Sequence, residues 1–240
     1  MRTVVFTILA FLAAASVQAK TLVVYYSYTN NTERIVDALR AKTDADVLEI
    51  EPAQKGLDYA ADNYAIGSAQ IAAIRNNPDD ASSYPAIDPV DVNLSDYDCI
   101  IVGAPLWWSN MAAPLQTFLF QYGKEMEGKK IGLIVSSASS GISGVEADAK
   151  RLISGGEFLS PSLWIRSSET SNAGARLDNW LKEINYDSLT SGISHISTDP
   201  DEKYTVYTLS GARILSESHS TTELPTGIYI INGKKTTVSK

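Results

Sequence analysis

Six consecutive residues, Ser27-Tyr28-Thr29-Asn30-Asn31-Thr32, are the part of this chain best equipped for chemistry. Four of them carry a hydroxyl, counting Tyr28, and the other two are amides, so the run is rich in hydrogen-bond donors and has no charge. Its flanks add backbone donors. Residues 21–26, Thr-Leu-Val-Val-Tyr-Tyr, have the β-branched and aromatic composition of a buried parallel strand. Residues 33–40 put Ile35 and Val36 with Leu39 on one face of a helix. A strand that turns straight into a helix leaves N–H groups unpaired at the positive end of the helix dipole. An anion such as a phosphate can sit there without Lys or Arg. The stretch alone leaves a plainer reading open: Thr32 before Glu33 is an N-cap, and Asn30-Asn31 are ordinary turn residues.

A second cluster is Pro105-Leu106-Trp107-Trp108, followed by Ser109-Asn110. Two adjacent Trp residues at the end of a strand provide a flat apolar wall, with backbone amides close by. Neighbouring side chains in extended backbone point opposite ways, so one Trp is expected on a ligand and the other in the core. Sequence does not choose between them. The plainer alternative packs one or both against residues 52–94.

Both clusters need a scaffold, and the chain alternates strands and helices. Strands are expected at 21–26, 46–50, 99–102, 130–135 and 163–165, and helices near 32–42, 113–122, 145–152 and 173–184. That spacing suits an α/β, doubly wound five-stranded parallel sheet of order 2-1-3-4-5, with its ligand crevice beyond the carboxyl ends of strands 1 and 3. The two clusters fall at those ends. The span 52–97 is longer than an ordinary crossover. Its Ala-rich part, 59–74, reads as a helix and the rest as Pro- and Asp-rich loop, which either walls a substrate site or is a surface excursion. Residues 185–201, rich in Ser, Asp and Gly, read as a linker. Residues 202–240 read as a small antiparallel β module, with Asn232-Gly233 as a hairpin turn and 234–238 as the returning strand.

The 27–32 run resembles the phosphate loop of flavodoxins, with Asn30 where Gly is usual; Asn tolerates a positive φ better than most residues. Pro-x-Trp-Trp, then Pro114, Thr117-Phe118-Leu119 and the Ser/Gly-rich loop 136–144, is similar to the exported bacterial flavodoxin-like family across residues 21–184. The resemblance implies non-covalent FMN, a flavodoxin-like domain over 20–184, and electron transfer, either as a carrier or as a reductase of quinone-like acceptors using a nicotinamide donor. It implies that Ser27, Thr29, Asn30, Asn31 and Thr32 hold the FMN phosphate. Pro105, Leu106, Trp107, Trp108 and Ser109 would line the isoalloxazine ring, and Ser137, Ser140 and Gly141 would close its other side. Family members usually carry Gly where this chain has Ser109, Ala138 and Ser139. Tyr26 reads as core and Tyr28 as a ligand contact. The last forty or so residues resemble the C-terminal sorting-like domains of exported Bacteroidetes proteins, which makes the module an address or a docking and stability element. The rival to the flavin reading is a flavin-free envelope protein of the same fold, docked by its β tail. A redox partner or a small quinone-like or nicotinamide substrate is the expected partner, together with a homodimer.

The ends and the composition set the remaining expectations. Met1-Arg2-Thr3, an apolar run over 4–15 and Val17-Gln18-Ala19 read as a signal peptide cleaved after Ala19. Cleavage leaves 240 − 19 = 221 residues and removes one Arg, moving the net charge from −8 to −9. The run is too short for a membrane-spanning helix, so no transmembrane segment is expected after cleavage and the protein is expected in the periplasm, at the cell surface or outside. The negative balance argues against nucleic acid. The one cysteine, Cys99, lies in a core strand, so redox chemistry must come from a cofactor. The two His, His195 and His219, lie in the linker and tail, which leaves neither a Ser-His-Asp set nor a zinc site.

Overall fold

The structure, a computed structural model, describes residues 19–138, 141–190, 193–194, 203–218, 224–231 and 234–238. Apart from Ala19, the expected signal peptide lies outside the described residues, as do Ser139, Ser140, His195 and His219. Two compact units divide the chain at about residue 191.

In the larger unit the elements run β1 (Thr21–Tyr25), α1 (Asn31–Arg40), β2 (Asp46–Glu49), α2 (Ala61–Asn76), β3 (Cys99–Trp107) and β4 (Asn110–Met111). They continue as α3 (Ala113–Tyr122), β5 (Lys130–Ser137), α4 (Ser143–Leu152), β6 (Glu157–Phe158), β7 (Leu163–Arg166), α5 (Gly174–Glu183) and α6 (Tyr186–Thr190). The parallel sheet has the order β2-β1-β3-β5, and β6 and β7 both pair with the outer side of β5. This is the expected five-position order. Side chains alternate between two cores: Leu22, Val24, Ile100 and Val102 enter one, Val23, Tyr25, Cys99 and Ile101 the other. Helices α3 and α4 cover the first core through Phe118, Leu119, Val145 and Ala149, and α1 and α5 cover the second through Ile35, Leu39, Leu177 and Trp180. A sheet covered on both faces explains its near-continuous apolar strands.

The observed elements depart from the sequence reading in three places. Strand β3 runs to Trp107, so residues 103–107, expected as loop, are extended and pair with β5 as far as Pro105–Ser136. Pro105 is tolerated because β1 ends opposite Gly103, so no β1 carbonyl waits for the N–H that Pro105 lacks, while its own carbonyl accepts from Ala112 N at 3.1 Å. Helix α2 opens with Asp62, Asn63 and Tyr64, all at positive φ (48°, 55° and 63°), before right-handed winding begins. Residues 186–190, read as the start of a linker, form α6, where Tyr186 is buried and its hydroxyl donates to Thr21 Oγ1 at 3.1 Å.

The smaller unit contains β8 (Ile193–Ser194), β9 (Tyr204–Tyr207), β10 (Arg213–Ser218), β11 (Gly227–Ile231) and β12 (Lys234–Val238) in the order β10-β9-β11-β12-β8. Its β9–β12 pairings are antiparallel, and β8 adds in parallel to β12. Tyr204, Val206, Leu224, Ile231 and Val238 form its core. Ile231 pairs with Lys234 across the expected hairpin, whose turn residues Asn232-Gly233 lie outside the described residues.

Candidate ligand site at the strand ends

The turn after β1 reaches α1 through Asn30, which sits at φ 60°, ψ 10°. Asn adopts this left-handed conformation more readily than other non-glycine residues, which accounts for the amide at this point. Ser27, not Thr32, does the capping: its Oγ accepts the Glu33 N–H at 3.3 Å. The N–H groups of Asn31 and Thr32, at the start of the helix, find no acceptor among the described residues and remain for a ligand. Asn31 is held from three sides. Its amide nitrogen donates to Thr29 Oγ1 at 2.9 Å, and its Oδ1 accepts from Arg34 and from Thr170 at 3.3 Å each. Because Thr29 Oγ1 accepts from Asn31, its own hydrogen is left to donate elsewhere. Thr32 is 1% exposed and shares a 2.8 Å hydrogen bond with Ser136 on β5. Its side chain therefore ties the helix start to the sheet. Gly103 on β3 lets that helix approach, since a Cβ there would stand 2.9 Å from Tyr25 Cβ and 3.3 Å from Thr32 Cγ2.

The second cluster forms a hairpin. Leu106 pairs with Met111 and Trp107 with Asn110, leaving Trp108-Ser109 as a two-residue turn with φ of 44° and 64°. A two-residue hairpin turn with both φ positive favours Gly, so Trp108 and Ser109 hold a conformation that side chains rarely adopt. Here the turn is clamped from outside. Arg75 of α2 donates to the Trp108 carbonyl and, at 2.6 Å, to Asn110 Oδ1. Asp148 of α4, buried, accepts from Met111 N and Asn110 Nδ2 at 2.9 Å each and pairs with Arg151. Gly144 lies against the Ser109 carbonyl so closely that a Cβ would overlap it.

Between the two clusters lies a cavity of about 420 Å³. Thr29 and Asn31 of the first cluster line it, with Ser136, Ser137, Ala138 and Ser167, and with Pro105, Leu106, Trp107 and Trp108 of the second. Tyr28, Tyr59, Ala60, Tyr64 and Gly67 complete it, and among the described residues none that lines it is charged. Tyr59 packs on Trp107 (centroids 4.8 Å apart, tilted 51°) and edge-on to Tyr28 at 5.3 Å. Both Trp rings rest on Gly67, where a Cβ would stand 3.0 Å from Trp108 and 3.4 Å from Trp107. Trp107 packs on the core while Trp108 is 40% exposed, yet both line the cavity. The Tyr28 hydroxyl donates to Asp58 at 2.9 Å, which holds the Asp58 carboxyl below its usual range and pushes the Tyr28 phenol up.

Of the residues singled out from sequence, the structure brings Thr29, Asn31, Pro105, Leu106, Trp107, Trp108 and Ser137 to this cavity. Ser27, Asn30, Thr32 and Ser109 shape it from behind, and Gly141 does not line it. Tyr59, Tyr64 and Gly67 were missed because they belong to the 52–97 insertion, which carries no motif. Through these three residues the insertion contributes to the lining of the cavity.

The family comparison adds to this geometry. A model of the flavodoxin family matches residues 20–184. The chain belongs to the flavodoxin family. Among solved structures, this flavodoxin-family protein is similar to a candidate flavoprotein from Bacteroides uniformis ATCC 8492, at 25% identity and TM-score 0.54, covering 67% of this chain and 99% of that one. It is also similar to a candidate flavoprotein from Bacteroides eggerthii DSM 20697, at 24% identity and TM-score 0.56, covering 70% and 98%. A third is a flavoprotein from Lactobacillus acidophilus NCFM in complex with FMN, at 23% identity and TM-score 0.52, covering 68% and 98%. At these identities the neighbours speak for the fold.

Proposed function

We propose that this flavodoxin-family protein binds FMN non-covalently in the 420 Å³ cavity and passes electrons, as a carrier or as a reductase of quinone-like acceptors. The observation that carries the reading is the start of α1, with two N–H groups open beside the uncharged 27–32 run, at a cavity walled by two Trp residues. Thr29, Asn31 and the first helical N–H groups would hold the phosphate; Trp107, Trp108, Tyr59 and Tyr64 would hold the ring. Bound FMN supplies one- and two-electron redox chemistry. The chain's own contribution is to orient the ring, exclude water from its inner face and set the surrounding field. A net charge of −8 disfavours added negative charge at the ring and lowers its potential. The signal-like leader supports export, with cleavage leaving Lys20 as the first residue, and N-terminal sequencing of the natural protein tests it.

Flavin fluorescence tests the site, with FMN and riboflavin titrated separately. FMN should bind more tightly than riboflavin. Thr29→Ala should cost roughly tenfold in FMN affinity, as expected for one hydrogen bond to a charged group, and leave riboflavin unchanged. A colourless protein that leaves FMN fluorescence untouched would overturn the reading and favour a flavin-free binding protein of this fold.

A further inference from the structure

Arg34 is a cation beside the start of α1 that does not itself line the cavity. A helical side chain leans toward the helix N-terminus, so Arg34 reaches back over the turn before it. Its Nη1 donates to Asn31 Oδ1 at 3.3 Å, and the nitrogen of that amide donates to Thr29 Oγ1 at 2.9 Å. Asn31 and Thr29 both line the cavity. The guanidinium is thus one amide group away from atoms that would meet a phosphate. It is exposed and has no acidic partner among the described residues, its chain neighbour Glu33 included. Its single bond to Asn31 leaves other N–H groups of the planar fork for a ligand.

The surrounding charge gives this cation a task. The larger unit, residues 19–191, carries 14 Lys and Arg against 23 Asp and Glu, a net of −9. A phosphate monoester carries nearly two negative charges at pH 7, and that field repels it. The 27–32 run has no charge to offset the repulsion, and the helix dipole contributes only about half a positive charge. We propose that Arg34 binds the flavin phosphate, a role that rests on the FMN reading and supplies the full positive charge the loop lacks. Selection of a phosphate monoester over neutral riboflavin then depends on salt, because an exposed cation is screened and a short hydrogen bond is not.

The test titrates FMN and riboflavin into the full-length protein at about 0.01 M and about 1 M salt, where the Debye length is ~30 Å and ~3 Å. Arg34→Gln should weaken FMN about fivefold at the low salt and less than about twofold at the high salt. Riboflavin should bind this variant as it binds the wild type at both salts. Arg34→Lys keeps the charge and should keep most of the FMN affinity. Thr29→Ala is the contrast, since its loss should persist at high salt. A wild-type protein that binds no FMN overturns the FMN reading and the role of Arg34 together. If the wild type binds FMN, four results overturn the role of Arg34 alone. They are an unchanged affinity in Arg34→Gln, a loss of equal size at both salts, a matching loss for riboflavin, or an Arg34→Lys protein as weak as Arg34→Gln.

Discussion

Gly144→Ala sets two effects against each other, and their sizes decide the outcome. Gly144 lies in the first turn of α4 and has no positive φ. On helix propensity alone, Ala would stabilise the protein by roughly 0.5–1 kcal/mol. Its Cβ, however, would overlap the Ser109 carbonyl oxygen and stand 2.9 Å from the carbonyl carbon. Both partners are backbone, so no rotamer relieves the contact and either the turn or the helix must shift. The turn is the weaker of the two, because Trp108 and Ser109 already occupy positive φ. Moving it pulls against the Arg75 bond to the Trp108 carbonyl and the Asp148 bond to Met111 N. Overpacking costs typically 1–3 kcal/mol, and with backbone on both sides of the overlap the upper end applies, so a net loss of about 2 kcal/mol is expected after the propensity gain. At a few degrees per kcal/mol for a chain of this size, the melting temperature should fall by about 4–8 °C. Displacing Trp108 should also weaken FMN by roughly tenfold, as expected for about 1.4 kcal/mol of lost aromatic contact. Gly141→Ala is the control: its Cβ meets nothing within 4 Å, and stability should hold. A Gly144→Ala protein that melts at or above the wild-type temperature would refute the close approach.

Two further predictions concern titrating groups. Asp58 has its folded pKa lowered, first by the Tyr28 O–H and then by the Ala60 N–H, so its contribution to stability is present above the ordinary carboxylate range and is lost as pH falls through the lowered value. In Tyr28→Phe the Asp58 pKa, followed by carboxyl NMR, should rise toward that ordinary range; an unchanged value would mean that the hydrogen bond is absent in solution. Cys99 is 1% exposed and burial pushes its thiol up to about 11, so the folded protein should resist a thiol reagent at pH 8 and react once unfolded. Rapid labelling of the native protein would contradict that placement.

The legible parts of the sequence are those fixed by local chemistry. Strand periodicity, the strand-to-helix turn at 27–32 and the Trp pair each follow from short stretches, and the sheet order follows from their spacing. What sequence could not show depends on contacts distant in the chain. Thr32 looks like a cap until Ser136, 104 positions away, is found beside it. Gly67 in an Ala-rich helix carries no sign that two indoles rest on it. The extension of β3 to Trp107 was hidden by Pro105, which usually ends strands but here lies beyond the reach of β1.

These contacts give the two ends of the proposed FMN cavity different stiffness. At the phosphate end the polar side chains are tied to the scaffold: Thr32 to Ser136, Asn31 to Thr29 and Thr170, Ser27 to the helix. At the ring end Trp108 is 40% exposed and Tyr64 54%, and Tyr64 closes a left-handed turn of three non-glycine residues. Such residues cost roughly 1–2 kcal/mol apiece, so the turn persists only through its surroundings. The Tyr28–Asp58–Ala60 hydrogen bonds beside it are part of those surroundings. Substitutions at the phosphate end should therefore act on affinity for the anion with little structural change. Substitutions at Tyr28, Asp58 or Gly67 should alter the shape of the ring wall, and through it the choice of what the wall accepts.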